Sequence, residues 1–334
     1  MKKEFFAGAS TPKGFFTYLP SVLPDMQTGF RYDIKGSSGS GKSTMMRRIA
    51  AVMRENGVET EYLHCASDPS SLDGLIFPKL QLAVTDSTAP HAMDPTLPGV
   101  SGMVVDLYGC LHPEKLSRFR PILTEALQKK QALYKNAFSY ISAAACILPN
   151  ETADPKETEA IAAEIEKKYF PKKSDNKSIV RNMFLFAITP DGIVSYPDGL
   201  PAKKILIKGQ GASQIIESLA MRAKANGISF DIGYSPLFPE EKPMQIILHD
   251  FPLAVLADCA LFPSVGEEIY LCKPLPKYPK DVHQMIDKSI TAMKKAREWH
   301  KKIESIYATA MDFSDVEVIG AQLTEDLLKR YKSA

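Results

Sequence analysis

Residues 36–44 read GSSGSGKST, and no other stretch restricts the fold as tightly. The spacing G-x-x-x-x-G-K-[ST] is met by Gly36, Gly41, Lys42 and Ser43. Each residue type has a physical reason. Glycines let backbone N–H groups turn inward around phosphate oxygens, so Gly36, Ser37, Ser38, Gly39, Ser40 and Gly41 form the expected cradle. Lys42 is placed to reach the β- and γ-phosphates of ATP and Ser43 to hold Mg²⁺, and the phosphate-holding run extends to Thr44. The run FRYDIK before the loop has the character of a short strand. The run STMMRRIAAVMREN after it has apolar residues at helical spacing, at Met45, Ile49, Val52 and Met53. A strand feeding a glycine loop and then a helix is the context the motif requires, and it aims a helix N-terminus at the phosphates.

Such a loop needs an acid on a neighbouring strand to orient the magnesium ion. Residues 80–86, LQLAVTD, are an apolar run ending in Asp86, the form of a Walker B strand. Ser87 follows, where many motor-type ATPases carry a glutamate that polarises water. A catalytic base must then come from elsewhere, hydrolysis must be slow, or the phosphoryl group must go to another acceptor. Two loops supply candidates beyond the carboxyl ends of the strands, where α/β sheets bind ligands. One is His64–Gly74, with Asp68 and Asp73; the other follows Asp86 and includes His91. Asp68, Asp73 and His91 suit the orientation of water or of an acceptor hydroxyl. Ser-Asp-Pro-Ser-Ser also reads as an ordinary turn and helix cap. A metal site built from His64, Cys65 and His91 matches no standard spacing.

The chain repeats itself. Thr11–Tyr18 returns as Thr189–Tyr196, Ile34–Gly36 as Ile207–Gly209, and Leu82–Val84 as Leu253–Val255, with Asp258 near the place of Asp86. Leu127–Ala144 resembles Met293–Ala310. Matched stretches in one order predict two copies of an α/β unit over residues 1–178 and 179–334. Each is expected to be a P-loop NTPase-like three-layer α/β/α domain with a mostly parallel sheet, followed by long helices. The second copy reads KGQGASQ where the first has its glycine loop. It has no lysine at the place of Lys42 and is about two residues shorter, so it is expected to be degenerate. Its helical tail is expected to pack on that of the first copy, and Arg181 and Arg222 are its candidate arginine fingers. In the first copy, Arg118 and Arg120 are candidate phosphate clamps.

Composition narrows the field. The chain has 334 residues with 41 basic and 39 acidic side chains, so it lacks the basic excess that nucleic-acid backbones demand. The five cysteines are widely spaced with no CxxC pair, which argues against a zinc ribbon or a disulfide framework. No apolar run approaches the ~18 residues of a membrane helix. MKKEFFAGASTPKG lacks the apolar core of a signal peptide, so a cytoplasmic protein is expected.

The glycine loop, HCASDPSSLDG, TDSTAPH and the tandem layout together resemble an uncharacterised bacterial family of tandem P-loop ATPases and nucleotide-kinase-related proteins, over nearly the whole chain. The resemblance implies ATP binding and supplies no substrate. Both halves of that family often look like P-loop domains, so the blank second loop is a departure. The expectation is a Mg-dependent ATPase with one nucleotide site per chain. The alternatives are a small-molecule or nucleotide kinase, and a non-enzymatic nucleotide switch that acts on a protein partner.

Overall fold

The computed structural model describes residues 3–333 apart from 26, 150–152, 172–176, 197–198, 250, 260, 262–265 and 267. The first half runs β1 (Lys3–Phe5), β2 (Gly8–Thr11), β3 (Gly14–Thr17), α1 (Leu19–Val22), β4 (Phe30–Lys35), α2 (Lys42–Glu55), β5 (Glu61–His64), β6 (Leu72–Phe77), β7 (Leu82–Asp86) and β8 (Gly102–Asp106). Two helices follow, α3 (Arg120–Cys146) and α4 (Pro155–Tyr169). The second half runs β9 (Val180–Met183), β10 (Phe186–Thr189), β11 (Gly192–Ser195), β12 (Lys203–Lys208), α5 (Ala212–Ala225), β13 (Phe230–Ser235), β14 (Phe238–Leu248), β15 (Leu253–Ala257) and β16 (Glu268–Leu271). It closes with α6 (Lys280–Ala308) and α7 (Phe313–Ser333).

The strand orders are β1-β5-β6-β7-β4-β8 and β9-β13-β14-β15-β12-β16, the same order for each half. Small devices repeat as well. Thr11 Oγ1 donates to Gly14 O and Thr189 Oγ1 to Gly192 O, so both closing turns of the hairpins β2–β3 and β10–β11 are built alike. Helices α2 and α5 each end at Asn-Gly, with Gly57 and Gly227 at positive φ. There Val58 N–H donates to Met53 O and Ile228 N–H to Ala223 O, a glycine-terminated helix stop.

Both sheets are mixed. Strands β1/β5, β7/β4 and β4/β8 pair parallel, whereas β6 runs antiparallel to β5 and β7. Residues 65–71 alone join β5 to β6, too few for a parallel crossover, which needs about a dozen or more. Asp73 and Gly74, expected in a loop, therefore lie on β6.

The three-layer expectation is corrected to four layers. Helices cover one face of each sheet, and the other faces meet. Phe5, Leu63, Ile76 and Ala83 of the first sheet share a cluster with Met183, Leu206, Ile247, Ala254 and Leu256 of the second. Successive strand residues point to opposite faces. Leu82 and Val84 accordingly pack under α2 while Ala83 faces the other sheet. An apolar strand announces burial on both faces without saying whether a helix or a sheet provides it.

The halves exchange their last helices. Val316, Leu323 and Leu327 of α7 join Met46, Ile49 and Met53 of α2 over the first sheet. Ala162, Ile165 and Tyr169 of α4 join Ile215, Ile216 and Leu219 of α5 over the second. The carriers of this crossing, α3 and α6, pack through Ala137, Ile141 and Ala144 against Val282, Ile286 and Met293. They run antiparallel, since Lys129 lies over Trp299 and Lys288 over Tyr140.

Both expected arginine fingers are structural. Arg181 is buried between the sheets, bonded to Glu61 (Nη1 to Oε2, 2.8 Å) and Asp231 (Nε to Oδ1, 2.7 Å), and Lys3 bonds the same Asp231. Arg222 pairs with Glu159 and Glu166 of α4 and clips that helix to α5. No helix among the described residues is long and apolar enough to cross a membrane.

Candidate functional site

Strand β4 delivers the chain into the loop 36–41, and Gly41 (φ 88°) caps α2. Gly39 is also at positive φ (75°), and a Cβ there would stand 2.5 Å from Glu304 O on α6. This residue must be glycine both for its backbone angle and for the approach of α6. The Lys42 ammonium donates to the carbonyls of Gly36 and Ser37, at 2.8 Å each, and lies 3.6 Å from Asp86 Oδ2. Asp86 accepts from the Thr88 hydroxyl (2.6 Å) and backbone N–H (3.0 Å). Burial lifts its carboxyl above the usual range, against the pull of Lys42 and of the Thr88 hydrogen bond. Ser43 Oγ accepts from Leu72 N–H at 3.0 Å. The buried hydroxyls of Ser37 and Ser40 have no hydrogen-bond partner among the described residues, which is costly unless something else satisfies them.

Ser87 is buried and donates to Asp33 Oδ1 at 3.1 Å. It is thus tied to the strand behind it rather than turned toward the loop. Asp73 and His91 form a buried pair, Oδ2 to Nε2 at 3.2 Å, each 8% exposed. Burial alone would lower the imidazole pKa, but Asp73 holds it above its usual value. Nδ1 of His91 has no hydrogen-bond partner among the described residues. Cys65 stays a thiol, because burial and the Asp73 carboxylate push its pKa well up.

One cleft of about 620 Å³ gathers these groups. Residues 38–44 line it, with Asp68, Asp73, Asp86 and His91. Ser37 and Gly36 lie behind, holding Lys42. Arg118 and Arg120 do not line it. His64 is directed elsewhere, stacked on Tyr196 at 4.0 Å and bonded to Glu4. Among the described residues no group of three or more His, Cys, Asp or Glu is arranged to hold a metal. A hydroxyl and one carboxylate, Ser43 and Asp86, remain a donor set suited to a hydrated magnesium ion, which keeps several waters.

Lys130 and Tyr134 of α3, and His300 and Glu304 of α6, also line the cleft and escaped the sequence reading. Burial and Lys130 push His300 down to about 4, and burial lowers Lys130 itself. Burial and Asp68 raise Glu304. Phe313, at the start of α7, completes the wall.

The second half keeps the scaffold without the lysine and the acid. Gly211 caps α5 with φ 89°, as Gly41 caps α2, so Ala212 stands where Lys42 does. Three residues, 209–211, span the gap that six, 36–41, span in the first half, a deficit of three and not two. Ile34 pairs with Asp86 and Ile207 with Ala257. The counterpart of Asp86 is therefore Ala257, and Asp258 takes the place of Ser87.

Comparisons with known protein families, with curated proteins and with solved structures gave no match.

Proposed function

We propose that this chain is a P-loop nucleotide-binding protein that holds one Mg-ATP in the cleft of its first half and hydrolyses it. The observation that carries this reading is the convergence of Lys42, Asp86, Ser43 and the unbonded hydroxyls of Ser37 and Ser40 around a glycine loop that opens a helix. An ammonium held by two loop carbonyls beside the Asp86 carboxylate can exchange the carbonyls for phosphate oxygens, and the buried hydroxyls and helix N-terminus favour the same anion. Magnesium held by Ser43 and Asp86 would offset phosphate charge. The resemblance to tandem P-loop ATPases and nucleotide-kinase-related proteins points the same way.

A second reading, phosphoryl transfer to a small-molecule acceptor, is favoured by the Asp73–His91 pair. Asp73 accepts a hydrogen bond from Nε2–H, which leaves Nδ1 as the basic nitrogen of the neutral ring, and such a dyad suits removal of a proton from a hydroxyl. Titration of the intact chain with Mg-ATP tests the first reading. One site per chain is expected, with binding lost in Lys42→Ala. ADP release with and without hydroxyl-bearing acceptors separates hydrolase from kinase, and binding without turnover would indicate a switch. Unchanged ATP affinity in Lys42→Ala would refute the proposal.

A further inference from the structure

A second cavity, of about 330 Å³, opens beside the cleft and runs between α2 and α7. Its size falls within the range of about 300–1,000 Å³ typical of ligand sites. The two spaces share Gly41, Thr44 and Phe313 as lining residues. The groove is thus the continuation of the cleft past the end of the glycine loop. Its walls are apolar and narrow. Met45 of α2 faces Val316 and Gly320 of α7, and a Cβ on Gly320 would lie 3.3 Å from Met45 Cγ. Phe313 stands at the junction, 44% exposed, with its ring edge 3.6 Å from where a Cβ of Gly41 would be. At the mouth, Arg48 and Glu317 pair at 3.0 Å, and both are largely exposed. A slot with an aromatic at its entrance and small residues on one wall fits a flat heteroaromatic ring. A charged pair at its rim offers both a donor and an acceptor to ring-edge nitrogens and oxygens.

We infer that this groove receives the purine base of the nucleotide whose phosphates occupy the cleft. The inference rests on the P-loop reading above and adds the residues that choose the base. Phe313 and Met45 contact the faces of the ring, and Arg48 and Glu317 meet its edge. The far end of the chain thereby contributes to a site built by residues 36–86.

Equilibrium titration of the full chain with ATP, GTP, CTP, UTP and inorganic tripolyphosphate, each with magnesium, tests this. At least one purine triphosphate should bind tenfold or more tighter than the pyrimidine nucleotides and tripolyphosphate. Gly320→Leu, which fills the slot, should erase that preference while tripolyphosphate affinity stays within twofold. Phe313→Ala, at a position 44% exposed, should also cut the preference about tenfold, whereas Phe313→Tyr should keep it. If wild type binds tripolyphosphate as tightly as ATP and GTP, or if the preference survives both Gly320→Leu and Phe313→Ala, the groove assignment falls. Tripolyphosphate binding that depends on Lys42 would then leave the P-loop reading standing. Absence of Lys42-dependent binding for every ligand would overturn both.

Discussion

Phe6 and Phe184 exchange both backbone hydrogen bonds, each N–H donating to the other's carbonyl at 2.9 Å. Each residue directly follows the first strand of its half, and both side chains are fully buried. The pair therefore marks the pseudo-twofold that relates the halves. Tyr18, Ala9, Ala66 and Ala187 pack around it. A contact between equivalent residues is what two copies of one unit must make where their axis passes through the polypeptide.

The exchange of α4 and α7 sets the first expectation. Residues 1–171 alone lack α7, which leaves the α2 side of the first sheet partly uncovered and α4 without a partner. This fragment should be aggregated or unfolded. Co-expression with residues 177–334 should restore a soluble complex with native-like circular dichroism. A stable, monomeric 1–171 fragment would show that the exchanged helices are dispensable.

Arg181→Met should destabilise the protein by about 3–5 kcal/mol, because it leaves Glu61 and Asp231 buried near each other with Lys3 and His249 left to offset them. Arg181 and Lys3 hold both carboxyls below their usual values of 4.5 and 3.8, against a burial cost that acts the other way. Depressed carboxylates stabilise fully above their unfolded pKa values, and the contribution fades as pH falls through them. Wild-type stability, followed by urea denaturation, should thus drop below about pH 4.5. Equal stability of Arg181→Met and wild type at pH 7 would contradict the role given to this cluster.

The charge on His91 should depend on Asp73. NMR titration of labelled histidine should place wild-type His91 above 6.5. In Asp73→Asn only the weaker pull of Asp86 opposes burial, so the pKa should fall from its wild-type value. A histidine raised on folding stabilises fully below its unfolded pKa, and that contribution disappears as pH rises through the folded value. The variant should therefore lose more stability at pH 6 than at pH 9, and the reverse order would exclude the pairing.

Asp86→Asn keeps shape and removes charge. If Asp86 acts through magnesium, turnover should fall about 10²–10³-fold, while affinity for ATP measured in EDTA changes little. Equal losses with and without metal would place Asp86 in direct phosphate or structural work instead.

What could be read from the sequence was local in origin. The glycine loop and Lys42 are specified by spacing along one strand–loop–helix, Asp86 by the end of one apolar strand, and the repeat shows itself because equivalent turns demand equivalent residues, as at Thr11 and Thr189. Lys130, Tyr134, His300 and Glu304 could not be read in that way. They are ordinary polar positions on long amphipathic helices, and only the antiparallel packing of α3 on α6 turns them toward the loop. The destination of α7 was hidden for a similar reason. Its apolar stripe records that one face is covered, and Val316 and Leu327 carry no mark of which sheet covers it. Arg181 misled because a conspicuous arginine reads the same whether it reaches for a phosphate or neutralises two carboxylates in the interior.

The crossed helices have a consequence for how the protein withstands dilution. Two separate subunits that swapped such helices would come apart as their concentration fell, since every contact across the axis would be bimolecular. Here one polypeptide carries both partners, so the local concentration of each half around the other is set by the connecting chain. The melting midpoint should then be the same at low and high protein concentration. A single chain in which only one half retains the lysine and the acid can also keep its asymmetry permanently, because neither half can trade its partner for a second copy of itself.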